Sequence, residues 1–206
     1  MKSRTLVAII LSAALLVVPI VASAMTAAEC HDLLRKLWTD HVVWHRFYII
    51  SALSDLPDKS ATATRLMQNQ TDIGNAAKAF YGDAGGAKLT DLLKQHVTIG
   101  AEVIDAAKAG DTAKKDAAMK RWQTNADELA KFLNSANPKN WPLQAVQTLL
   151  KEHMDLMVAI VTARLQKDWA GDIAAYDKAE EQILKIADAL SAGIVAQFPD
   201  KFAAAK

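Results

Sequence analysis

The amino-acid sequence predicts an all-α protein, a single-domain helical bundle of about six helices arranged as three repeated αα-hairpins. Three observations carry that expectation. Apolar residues recur at helical spacing along the chain, and no alternating run is long enough for a strand. The 206 residues include only 8 Gly and 5 Pro beside a large Ala content, a composition that favours helix. A short pattern centred on His recurs three times.

The first segment is of a different kind. Lys2 and Arg4 form a positive start, Leu6 to Ile20 is an apolar core, and Ala22-Ser23-Ala24 supplies small residues at cleavage positions. Residues 1–24 therefore read as a secretory signal peptide, residues 25–206 as the helical-bundle domain, and the expected location is periplasmic or extracellular. Cleavage leaves 22 basic against 23 acidic residues, so the formal charge moves from +1 to −1. A balance so near zero speaks against nucleic acid as a partner. No later stretch of about 18 apolar residues exists, so no stable membrane insertion is expected after cleavage. The single cysteine, Cys30, excludes an internal disulfide and thiolate-rich metal sites; it reads as an unpaired thiol on the first helical turn.

Helix breaks are expected at Leu56 to Ser60, Tyr81 to Gly86, Ala109 to Asp111, Asn137 to Pro142 and Lys167 to Gly171, where Gly, Pro, Asn and Asp gather. Ser60 and Asp111 are the N-cap candidates, because a short side-chain oxygen can accept from the free amides of the next turn.

The repeat lies in LWTDHVVWHRFYIIS from Leu37, LLKQHVTIGAEVIDA from Leu92, and LLKEHMDLMVAIVTA from Leu149 or Leu150, which place His41, His96 and His153 alike. The intervals are 55 and 57 residues, inside the range of helical repeats. A second strip pairs Asn69 with Asn125, both closing Arg-x-x-x-Asn, and Glu180 or Gln182 stands at the matching place in the final helix. Each of the three His residues lies on an apolar stripe, as Leu37, His41, Trp44 and Tyr48 illustrate at helical spacing.

Three imidazoles and a carboxylate on facing helices suit a Zn, Fe or Cu ion. The expected ligands are His41, His96, His153 and Glu180, with Asn69, Asn125 and His45 supporting them by hydrogen bonds. His41 and His45, four residues apart, also share a face and have chelating spacing. Trp38, Trp44 and Arg46 are the candidates for framing a ligand cleft; aromatics at this spacing more often fill a core. Arg46, Arg65 and Arg121 could bind an anion, and equally could cap helix ends or pair with Asp40, Asp72 or Asp127; the solvated reading is preferred. Met154 and Met157 could be soft ligands or gap-fillers.

No Gly-rich phosphate loop, dinucleotide fingerprint, nucleophile elbow, HExxH or CxxCH is present. The Glu-x-x-His pairs of di-iron bundles are missing too, since Trp38, Leu93 and Leu150 precede the three His residues by three positions.

The segments LWTDHVVWHRFYIIS, QNQTDIGNAAKAFYGDAGGAKLTDLLKQHVTIGAEVIDAAKAGD and DIAAYDKAEEQIL, with the closing IVAQFP, resemble a family of small helical, often exported proteins of bacteria and some archaea. Members lack an established function and sometimes carry the labels glycosyltransferase or acetylglutamate kinase. Those activities usually need a nucleotide-binding α/β scaffold, which these residues do not suggest. The family motif reads His-Val-x-Trp-Thr-Arg; His41, Trp44 and Arg46 match it, and His45 replaces the Thr. The resemblance implies a helical fold and an export context, without a reaction.

The expected function is that of an exported, non-enzymatic binding protein that holds a transition-metal ion in a His-centred interior. The rival is a structural or interaction protein of the cell envelope whose buried His, Asn and Glu layer is metal-free, and an enzyme ranks third. The expected partner is a metal ion or a small ligand, with self-association left open. Three ring nitrogens within about 4–5 Å of one point would favour metal.

Overall fold

The computed structural model describes residues 25–203. They form a helical bundle of five α-helices: α1 (Ala27–Leu53), α2 (Lys59–Lys108), α3 (Thr112–Ala136), α4 (Leu143–Leu165) and α5 (Trp169–Gln197), followed by a short 3-10 turn (Pro199–Lys201). The signal-peptide expectation falls on residues 1–24 and lies outside the described residues.

The ends of the helices follow from their caps. Thr26 and Glu29 form a reciprocal capping box at the start of α1. The Asp111 carboxylate accepts from the Lys114 amide and starts α3, as expected, and Asp168 does the same for α5 through the Gly171 amide. Ser60 is not a cap: the helix begins at Lys59, behind Asp58, whose side chain makes no capping bond.

The expectation of six helices is replaced by five because the helical pattern is continuous across Lys59–Lys108. Its path is nonetheless broken inside α2, at Gly82, where φ 73° and ψ 174° lie in a region that only glycine adopts without strain. The two arms of α2 then run back along each other. A Cβ on Gly74 would stand 2.7 Å from the Gly86 carbonyl oxygen and 1.8 Å from Thr90 Oγ1, so the backbones touch where both residues lack side chains.

The bundle is a ring of neighbours. α1 packs on α2 and α5, α2 on α3, α3 on α4, and α4 on α5. One apolar core runs through it, with Ile49, Leu66, Leu92, Leu129, Ile160 and Ile183 fully enclosed. Cys30 is a free, buried thiol whose pKa burial raises. The two ends of the described chain meet, since the Ala203 amide donates to the Met25 carbonyl. No described helix is long and apolar enough to cross a membrane.

Candidate metal centre

Four histidines lie in the core: His41 and His45 on α1, His96 on the second arm of α2, and His153 on α4, each at most 4% exposed. They form a contiguous layer. Ring centroids are 5.7 Å apart for His41 and His45, 5.5 Å for His41 and His153, and 6.4 Å for His96 and His153. Side chains at i and i+4 on α1 share a face, which brings His41 and His45 together, and the α4 helix lays His153 against them.

One ring nitrogen from each of His41, His45 and His153 lies within 4.8 Å of those of the other two, close enough to hold a metal ion. Tetrahedral coordination at about 2.0–2.1 Å places ligand nitrogens about 3.4 Å apart, so the rings need to close by little more than 1 Å. The trio differs from the expected set. His45, expected in support, joins the cluster; His96, expected as a ligand, lies beside it.

Amide side chains anchor the layer. Asn69 Nδ2 donates to the Leu37 carbonyl (2.9 Å), Asn125 Nδ2 to the Leu92 carbonyl (3.2 Å), and Gln182 Nε2 to the Leu149 carbonyl (2.7 Å). Glu180 takes no part: it is only half-buried, and two residues along α5 turn it about 200° away from Gln182. The inward amide of α5 is therefore Gln182, not the expected carboxylate. Gln70, next to Asn69, reaches His41 Nδ1 at 3.2 Å and was not anticipated from the sequence.

Hydrogen bonding fixes one tautomer. With Asn125 Nδ2 committed to the Leu92 carbonyl, its Oδ1 faces His96 Nδ1 at 2.8 Å and must accept the ring proton. His96 Nε2 then carries a lone pair and has no partner. That is the arrangement metal-binding histidines adopt, with the far N–H held by a carbonyl oxygen. His45 Nδ1, both nitrogens of His153, and the Oε1 atoms of Gln70 and Gln182 also lack partners.

Burial keeps the rings neutral. It lowers His41 to about 3, with the nearby His45 and His96 adding to the effect. Burial, then His96, brings His45 to about 4. His96 falls to about 4 by burial, against the opposing Asn125 bond. His153 drops well below the usual range through burial and then its three neighbours. Neutral imidazole is the form that binds metal.

The three expected cleft residues have different surroundings. Trp38 is buried, edge-on to His41, and lines an apolar cavity of about 180 Å³ on the Cys30 side. Trp44 lies half-buried under the Arg65 guanidinium. Arg46 makes a two-pronged ion pair with the buried Asp172 (2.9 and 3.1 Å), which also accepts from Arg164 (2.7 Å). Arg65 stands 3.8 Å from Asp40 and 3.9 Å from Asp72, and Arg121 pairs with Glu102.

A larger cleft, about 580 Å³, opens elsewhere, between the second arm of α2, the start of α3 and the end of α4, and His45 and Trp122 line it. The sequence signal for it is faint: Gly100 stands within a helical apolar run, and a Cβ there would meet the Trp122 ring at 3.3 Å.

No protein-family model, curated protein or solved structure matches the chain.

Proposed function

We propose that the protein is an exported, non-enzymatic binding protein that holds a transition-metal ion, Zn, Fe or Cu, among His41, His45 and His153, with His96 at its side. The observation that carries this reading is the unpaired state of the layer. A buried polar atom without a partner costs on the order of 1–3 kcal/mol, and ring nitrogens of His45, His96 and His153 are all left in that state. One ion bound by His45 and His153 offsets costs at both, and at His96 too where that ring supplies a ligand. Three protein ligands leave a fourth position for His96 or a ligand from outside.

Three hairpins of repeated sequence are part of the proposal. The amide clamps span 32, 33 and 33 residues, and each ends on the carbonyl four residues before a core histidine. The reversal at Gly82 supplies the extra turn that such a repeat needs.

Elemental analysis of untagged protein from its native compartment tests the metal. Near one equivalent of Zn, Fe or Cu is expected, lost in His41→Ala/His153→Ala, together with a melting temperature that falls on chelation. Metal near zero and a melting temperature indifferent to chelator would overturn the reading.

The second reading is a metal-free structural layer of a cell-envelope protein. The three amide clamps and the His96–Asn125 bond favour it, because they tie helices together without an ion.

A further inference from the structure

The cleft between α2, α3 and α4 has a floor and walls of different chemistry. Val103, Ile104, Met119 and Val161 are among the apolar side chains that line it. Trp122 and His45, each 2% exposed, also line it, and Trp122 Nε1 and His45 Nδ1 have no hydrogen-bond partner. Indole nitrogen is a donor only, so Trp122 lacks an acceptor.

Gly100 lies against the indole, whose Nε1 is buried. A Cβ at that position would stand 3.3 Å from Trp122 Cζ2 and 3.6 Å from Nε1, so a side chain there would lie over the N–H edge. The volume, about 580 Å³, falls within the range of small-molecule sites. The charged residues of the lining, Asp111, Lys115 and Asp116, all have exposed or half-exposed side chains. An ionised head group on the floor would therefore have no buried counter-charge.

We propose that this cleft binds a small uncharged amphipathic molecule, with an apolar body along the α2–α4 walls and one acceptor oxygen taking the Trp122 Nε1–H. Ketones, esters and ethers of medium chain length have this chemistry. The site borders the histidine layer through His45, yet its acceptor contact is to the indole and does not require an ion.

Titration calorimetry with alkan-2-ones from hexan-2-one to decan-2-one tests it. Saturable one-to-one binding is expected, tightening about fourfold per added methylene until the chain fills the cleft. Trp122→Phe keeps the aromatic body and removes the donor, and roughly a three- to tenfold loss of affinity is expected. Ala107→Phe fills the half-buried wall and weakens the longer ketones most; a thermal melt of each variant shows that it has folded. The same titration on EDTA-treated and zinc-loaded protein gives similar affinities, an outcome that holds whether or not the native protein carries metal. Absence of saturable binding would overturn the proposal. So would affinities that neither folded variant alters, or binding confined to the zinc-loaded protein.

Discussion

Two buried polar regions lie within this bundle and are built on opposite terms. At the α1, α4 and α5 contact, Asp172 is 2% exposed and both its oxygens are bound by Arg46 and Arg164. The guanidiniums are sheathed by rings, Arg46 over Tyr176 at 4.6 Å and Arg164 over Trp169 at 5.4 Å. In the histidine layer the side chains are as deeply buried, but several of their atoms bond to nothing. The difference separates two kinds of buried polarity: the carboxylate of the first region is satisfied and holds helices in place, whereas the second leaves ring nitrogens and amide oxygens unpaired.

Acid gives the largest contrast. His41, at about 3, and His45 and His96, at about 4, lie below the ordinary 6.5. As pH falls, the unfolded chain takes up protons first, so stability complete above about pH 6.5 is lost progressively towards pH 3. Each such histidine contributes about 1.4 kcal/mol per pH unit over its window, and together they amount to several kcal/mol by pH 5. Denaturant unfolding at pH 7.5, 6 and 5 measures this. A flat profile between pH 6.5 and 5 would mean that the rings are not held neutral.

Asp172→Ala comes next. It leaves two guanidiniums without their buried partner, and a loss of about 3–5 kcal/mol is expected by denaturant unfolding at pH 7. A loss below about 1 kcal/mol would place this contact among ordinary surface ion pairs.

The smallest effect is expected from His153→Leu. Its two ring nitrogens have no partner to lose, and leucine occupies a similar volume, so the stability of chelated protein should fall by no more than about 1 kcal/mol at pH 7. The same variant should also flatten the pH profile. A cost comparable with that of Asp172→Ala would erase the distinction between the two regions.

Much of the architecture was legible because helical periodicity and turn chemistry are local. The breaks near Leu56, Gly82, Gly110, Asn137 and Lys167 all coincide with changes of backbone path, and Asp111 is the cap its side chain suggests. Ser60 is not the cap because the helix already begins one residue earlier, at Lys59. The depth of His41, His96 and His153 was legible from apolar stripes. That His45 is equally deep was not, because Trp44, His45 and Arg46 are consecutive and point to different neighbours. Arg46 could be half-buried only because Asp172, 126 residues away, meets it.

Glu180 and Gln182 are a matter of register. The spacing from His41 to Gln70 and from His96 to Asn125 is 29 residues. The same step from His153 lands on Gln182, so a register argument would have separated the two where residue chemistry favoured the acid. Arg46 and Asp172 share no such repeat, and no local rule links them.

The pairing of Ala203 with Met25 has a directional consequence. Both described ends leave from one pole, beside Phe80, Phe198 and Phe202. Ile49, on the cleft, lies 22 residues beyond Ala27 along α1, about 33 Å away. A tether attached at either end would hold the molecule by its foot, with the cleft presented towards the far side.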